Sequence, residues 1–203
     1  MAGEQIVYIV DDDAAVRDSL SWLIRSIGLR VDTYASGQQF LNVLQPSTKG
    51  CVLLDVRMPG MSGLDLHEQL IAEKRVLPVI MITGHGDVPM AVRAVKAGAF
   101  DFIEKPFNDQ VLLDRIQQAL KQNREILRLE AQKTDLINRL ALLTPREQEV
   151  LKLVVVGNPN KAIAAQLGIS CRTVEIHRGR VMEKMEASSL PELVHQGVVI
   201  GLL

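Results

Sequence analysis

Short apolar runs recur along the first part of the chain, at 6–10, 51–55, 79–83 and 100–103, with a weaker one at 30–34. Runs of this length suit strands, and the segments between them carry apolar residues at helical spacing. Cap signals mark where those helices begin: Ser36 with Gln39 three residues on, Ser62, and Asp87 ahead of Pro89. Gly28 and Gly98 stand where helices should stop. Five strand–helix units with right-handed crossovers predict an α/β domain over 1–122, built on a five-stranded doubly wound parallel sheet.

The pattern then changes period. Residues 108–143 contain neither Pro nor Gly and predict one long helix or two in sequence, with 123–143 as a helical linker. Ile126, Leu129, Lys133, Leu136, Leu140 and Leu143 recur at alternating spacings of three and four. That is a short heptad seam, which either packs on the chain's own domains or pairs with a second copy. Glu125 would face Glu130 in a parallel pair, so charge does not favour the coiled coil. From 144 to 203 the chain reads as a small all-α domain. Thr144-Pro145-Arg146-Glu147 is a capping box, Asn158-Pro159 breaks the first helix, and a second runs over 161–167 to Gly168. Ser170 caps a third helix and Ser189 a fourth, and the tight Gly168-Ile169-Ser170 turn has helix-turn-helix spacing.

Composition adds limits. With 47% hydrophobic and 23% charged residues, the chain can bury a real core. Two cysteines, Cys51 and Cys171, cannot make a disulfide framework and point to a reducing cytoplasm. No basic segment precedes the first apolar run, and no apolar stretch approaches the ~18 residues of a membrane span. A soluble cytoplasmic protein with no membrane partner is expected. Charge is more informative when divided. Residues 1–122 hold 12 Lys and Arg against 15 Asp and Glu, whereas 144–203 hold 7 against 6. Within the latter, Arg172, Arg178, Arg180 and Lys184 concentrate between Ser170 and Met185, a local positive helix of the sort phosphate contacts need.

The candidate chemistry lies where strands end. Asp11-Asp12-Asp13 follows the first strand, Asp55 ends the 51–55 run, Thr83-Gly84 follows the next, and Lys105-Pro106-Phe107 follows the last. In a parallel sheet those loops open at one edge, outside the carboxyl ends of the strands. Three acids, a hydroxyl and an ammonium would converge there, a set that can hold a divalent cation and a phosphoryl group with Asp55 as nucleophile. Asp11 and Asp12 beside Asp55 would repel one another unless a cation sat among them, and hard oxygen donors suit Mg²⁺.

Residues 1–122 thereby resemble a response-regulator receiver domain, of flavodoxin-like fold. The resemblance implies Asp55 as phosphoacceptor, and Asp11, Asp12, Asp55 and the Arg57 carbonyl as Mg²⁺ ligands, Asp12 directly and Asp11 largely through water. It implies Lys105 as the phosphate-binding lysine before a cis-Pro106, with Thr83 and Phe102 as the switch hydroxyl and aromatic. Ile82-Thr83-Gly84-His85-Gly86-Asp87-Val88-Pro89-Met90-Ala91-Val92 resembles the FixJ-type branch, whose α4–β5 face dimerises on phosphorylation. Met90, Val92, Arg93 and Lys96 would lie on that face.

On a helical wheel of 173–185, Val174, Val181, Met182 and Met185 share a core face. Arg178 lies near it, where a structural ion pair is expected. Arg172, Glu175, Ile176 and Gly179 lie opposite, beside a polar stripe of Thr173, His177, Arg180 and Lys184. Either this face reads DNA or it is solvated surface. Residues 143–203 resemble a LuxR-type helix-turn-helix, through Thr144-Pro145-Arg146-Glu147, Asn160-Lys161-Ala162-Ile163-Ala164 and Arg172-Thr173-Val174-Glu175-Ile176-His177. The resemblance implies double-stranded DNA in a groove against the third helix. Base reading would fall to Arg172, Glu175 and Ile176. Thr173, His177 and Lys184 would meet phosphates, with Asn160, Lys161 and Arg180 also in the interface. Cys171 opens that helix, either as a small residue near a cap or as a thiolate poised for oxidation.

The two resemblances together imply a transcriptional regulator, an activator, with a sensor histidine kinase, RNA polymerase and a second copy of itself as partners. A haloacid-dehalogenase-like phosphatase also uses a strand-end Asp and Mg²⁺, but needs a second acid two residues after its nucleophile, where this chain has Arg57. An adaptor with a vestigial DNA domain is the remaining rival, and it would not shift DNA with or without phosphate.

Overall fold

The computed structural model describes residues 5–84 and 88–202, with only the backbone described at 88–91. The expected cap Asp87 and the side chain of Met90 lie outside the described residues. The chain divides into two compact units, 1–127 and 128–203, each considered by itself.

In the first unit β1 (Ile6–Val10), β2 (Arg30–Tyr34), β3 (Gly50–Asp55), β4 (Val79–Thr83) and β5 (Asp101–Glu104) form one parallel sheet in the order β2-β1-β3-β4-β5. β5 is shifted by one residue from its expected place and β3 begins one residue earlier than expected. Between them run α1 (Ala14–Ser26), α2 (Gly37–Val43), α3 (Gly63–Ala72) and α4 (Val88–Lys96), and α5 (Asp109–Ala141) follows. Side chains alternate across the sheet. Val7, Ile9 and Leu53 go to a core with Leu20 and Ile24 of α1 and Leu112 and Ile116 of α5. Tyr8, Val10 and Leu54 go to the opposite core, with Phe40 of α2 and Leu66 and Leu70 of α3. Every residue of β3 and β4 is buried, which is why those strands read as unbroken apolar runs. Strand order reverses between β1 and β3, and that switch point opens the crevice in which this fold class keeps ligands.

Helix ends follow the expected chemistry. Ser36 accepts from the Gln39 N–H, and Ser62 makes a full capping box with Asp65. Gly28 and Gly98 stop α1 and α4 at φ +79° and +89°, left-handed values that favour glycine.

Residues 108–143 give one helix, α5, of 33 residues. The second unit adds α6 (Pro145–Val155), α7 (Asn160–Leu167), α8 (Cys171–Lys184) and α9 (Leu190–Val199). Its core gathers Val150, Leu151 and Val154 of α6, Ile163 of α7, Val174 and Val181 of α8 and Leu193 of α9. Leu136 and Leu140 pack against this core and Leu143 is part of it. The last three seam positions thus serve their own unit, while Leu129 remains 52% exposed. For that half of the seam, self-packing displaces the coiled coil. No described helix is long and apolar enough to cross a membrane.

Candidate functional site

β1 and β3 end side by side, with Val10 in register with Leu54, so their next residues share the crevice. Asp11 and Asp55 are both buried, and Lys105 ties them together: its Nζ lies 3.0 Å from Asp11 Oδ2 and 3.1 Å from Asp55 Oδ1. The other oxygens are held by the backbone, Asp11 Oδ1 by the Asp13 N–H at 2.9 Å and Asp55 Oδ2 by the Arg57 N–H at 2.8 Å. Burial pushes the Asp55 carboxyl above the ordinary range, and Asp11 adds to this, against the pull of Lys105 and the Arg57 N–H. Burial opposes the charge on Lys105 too, but its two carboxylate partners outweigh it and raise its pKa. Thr83 is 1% exposed at the end of β4, and its carbonyl accepts from the Lys105 N–H at 2.7 Å. The Lys105–Pro106 peptide is cis.

The expected convergence needs one correction. Asp12 is exposed, and Asp13 caps α1 by accepting from the Ala15 N–H. Among the described residues no group of three or more His, Cys, Asp or Glu side chains comes together to hold a metal ion. Two buried carboxylates and the neighbouring Arg57 carbonyl nevertheless fit Mg²⁺, which keeps several waters and needs only one or two protein carboxylates. Two residues of this pocket escaped the sequence reading. Arg17 of α1 donates through Nη1 to the carbonyls of Asp11 (2.7 Å) and Asp12 (2.9 Å), bracing the acidic loop. Gly63 opens α3 directly beneath Asp55, where an added Cβ would lie 2.2 Å from the Asp55 carbonyl oxygen. An arginine one turn into a helix carries no sequence signal for the first role, and glycine after a Ser cap reads as turn chemistry.

Phe102 of β5 is half-buried against the core that holds Tyr8 and Met81. On α4, Val92 is 45% exposed, Lys96 is exposed, and Arg93 pairs with Glu68 of α3 at 2.7 Å.

In the second unit, Ser170 caps α8 by accepting from the Thr173 N–H, and the two hydroxyls lie 2.8 Å apart. One face of α8 is open: Arg172 (side chain 83% exposed), Glu175, Ile176, Gly179 and Arg180. Lys161 of α7 is exposed as well. Among the described residues nothing lies within 4 Å of a Cβ built on Gly179, so none of them requires glycine there by packing. His177 is half-buried, with Nδ1 enclosed and unpaired among the described residues. Asn160 is tied up: its Oδ1 accepts from Arg178 Nη1 at 2.8 Å, so the expected partner of Arg178 is an amide rather than a carboxylate. Cys171 is exposed at the first position of α8.

Lys184 does not belong to the open face. Its Nζ lies 2.7 Å from Oε2 of Glu147 and 3.2 Å from the Leu142 carbonyl oxygen. Glu147 is 1% exposed and closes the capping box by accepting from the Thr144 N–H at 2.8 Å. A buried carboxylate needs such a cation, and the helical wheel alone cannot reveal it. Hydrogen bonds from Lys184 and Thr144 hold the Glu147 carboxyl at about 2, below the ordinary 4.5. A depressed carboxyl contributes stability that is full above its unfolded value and lost as pH falls through the folded one. In the full chain, Glu147→Gln should lower the melting temperature of the 128–203 unit most above pH 4.5, with the gap to wild type closing toward pH 2. A gap independent of pH would refute the pairing.

Comparison with known proteins covers both units. The response regulator receiver domain family matches residues 7–117, and the luxR family of bacterial regulatory proteins matches 141–196. The transcriptional regulatory protein FixJ of Bradyrhizobium diazoefficiens is 45% identical over 197 residues, 97% of this chain and 96% of the relative. The response regulator protein TmoT of Ectopseudomonas mendocina is 48% identical over 191 residues, 94% of this chain and 87% of the relative. The solved structure of the response regulator StyR superposes with a TM-score of 0.86 at 46% identity, over 96% of this chain and 98% of that one.

Proposed function

The chain belongs to the two-component response regulators that join a receiver domain to a LuxR-type DNA-binding domain, a family of transcriptional regulators rather than enzymes, and on that footing we propose that it is a cytoplasmic, FixJ-type activator switched at Asp55. The observation that carries the reading is the clasp of Asp55 and Asp11 by Lys105 at the sheet's carboxyl edge.

The donor is a phosphohistidine of a sensor kinase. A carboxylate oxygen of Asp55 attacks phosphorus in line, an O–P bond forms, and the N–P bond breaks with its electron pair returning to the imidazole. Asp11, Asp55 and the Arg57 carbonyl would hold Mg²⁺, with the exposed Asp12 carboxylate turning in to join them, and the bound ion would neutralise charge on the phosphoryl oxygens, as receiver domains generally use it. Lys105 follows the new charge onto the phosphate, and the Thr83 hydroxyl donates to it. Phe102 fills the space that Thr83 vacates, which carries the change to the α4–β5 face at Met90, Val92, Arg93 and Lys96. Exposed Val92 becomes dimer contact there, and Arg93 exchanges or keeps Glu68.

Two receivers joined in this way bring two output units to one DNA site, where the dimer recruits RNA polymerase. Arg172, Glu175 and Ile176 read base edges from α8. Thr173, His177, Arg180 and Lys161 face phosphates, while Asn160 and Lys184 act by holding the domain in shape. The open surround of Gly179 suits close approach of a DNA backbone, which offsets the roughly 1 kcal/mol that glycine costs in mid-helix.

The test uses the full chain with Mg²⁺, with and without beryllofluoride. A duplex selected from a randomised pool by the activated form should bind it at least about tenfold tighter than the resting form, and sedimentation velocity should show monomer becoming dimer. Equal affinity in both forms, or failure to select any duplex, would overturn the reading.

A further inference from the structure

Asn123 is 0% exposed and is the last fully buried residue of α5 in the first unit. Its carboxamide joins three separate parts of the chain at the sheet's amino-terminal edge, opposite Asp55. Oδ1 accepts from the Gly50 N–H at the start of β3 (3.0 Å) and from Gln5 Nε2 just before β1 (3.2 Å). Nδ2 donates to the Val76 carbonyl ahead of β4. Gln5 doubles the clamp, giving Nε2 to the Leu120 carbonyl (2.9 Å) and accepting from Arg124 Nη1 (2.8 Å). At Gly50, an added Cβ would lie 1.8 Å from the Ile6 carbonyl oxygen, so the sheet edge has no room for a side chain of its own.

The rest of the α5 face is Leu112, Leu113, Ile116, Ala119 and Leu120, all apolar. Such contacts are non-directional and tolerate axial slip of a helix. A buried amide does not, because slip leaves main-chain groups unpaired away from water. Beyond Asn123 the helix emerges: residues 124–135 are exposed, or half-buried at 126 and 127.

We propose that Asn123 is the positioning residue that sets where, and at what rotation, the linker helix leaves the receiver. A receiver–output regulator gains from this, since α5 is the only covalent path out of the receiver and a helix free to slide would leave from no fixed place. A slip of one residue would move every downstream side chain by about 1.5 Å and turn it by about 100°. The proposal rests on the regulator reading for its purpose, but its geometry is measurable in the resting protein.

The experiment places spin labels at Ser47→Cys and Ala131→Cys in the full chain on a Cys171→Ser background. Cys51 stays unlabelled because burial pushes its thiol up to about 12. Without Mg²⁺ or beryllofluoride, the parent should give one distance population. Asn123→Leu, with the receiver's melting temperature and beryllofluoride uptake retained, should add a second population displaced by several ångströms, the scale of a one-residue slip. Gln5→Ala, which loosens the outer clamp without touching the core, should broaden the distribution in the same direction. Unchanged distributions in Gln5→Ala and in a folded Asn123→Leu would overturn the proposal. If Asn123→Leu fails to fold, Gln5→Ala decides it. Failure of the regulator reading would instead appear as a beryllofluoride-independent DNA affinity, whatever the labels report.

Discussion

Asp55→Asn is expected to abolish acyl-phosphate formation outright. Incubated with Mg²⁺ and radiolabelled acetyl phosphate, the variant should carry no hydroxylamine-labile label while the parent is labelled. An amide is not a nucleophile for this transfer, and no neighbour can replace it: Asp11 is held by Lys105 and the Asp13 N–H, and Asp12 is exposed. The fold should survive. Either amide orientation sets one N–H against a donor, Lys105 on one side or the Arg57 N–H on the other, at a cost of about 1–3 kcal/mol. Removing a charge that burial already disfavours offsets part of that. Asp11→Asn is the informative companion. It keeps the nucleophile but weakens the cation site, so labelling should be slow rather than absent. Full labelling of Asp55→Asn would place the phosphoacceptor elsewhere.

The features legible in advance were those that chain-local physics dictates. β1, β3 and β4 are buried on both faces and so read as apolar runs, and their order put Asp11, Asp55, Thr83 and Lys105 at one edge. The caps at Ser36, Ser62, Thr144, Ser170 and Ser189 follow from side chains that reach backbone three residues away. Long-range pairs escaped. Lys184 reads as surface charge because its partner Glu147 lies 37 residues away on another helix, and Asn160 reads as a DNA contact because Arg178 lies 18 away. Asn123 gave no signal at all, since an amide near mid-helix is ordinary until three strand ends are seen to meet it. Periodicity reports which face is apolar. It does not report which polar group will be needed by something distant.

Gly63→Ala should disable the receiver through sterics alone. Gly63 is the first residue of α3, its N–H donates to the Val56 carbonyl at 3.0 Å, and its φ lies outside the left-handed region. Backbone freedom therefore does not explain it. Space does: a Cβ would lie 2.2 Å from the Asp55 carbonyl oxygen, 3.0 Å from its carbon and 3.0 Å from Val56 Cα. All three are main-chain atoms with no rotamer to yield, so helix and strand end must separate. Overpacking of this kind costs about 3 kcal/mol, which lowers the receiver's melting temperature by on the order of 10 °C. The separation also moves Asp55 away from Lys105, so labelling should slow even well below the melting temperature. Gly84→Ala is the control, on the same edge with nothing among the described residues within 4 Å of its Cβ. It should melt and label nearly as the parent does. If Gly63→Ala did the same, the close approach of α3 to Asp55 would be wrong. If it melted early yet labelled at the parental rate, the strand end would be stable without α3, and the geometry of Asp55 would be set by Lys105 and the Arg57 N–H alone.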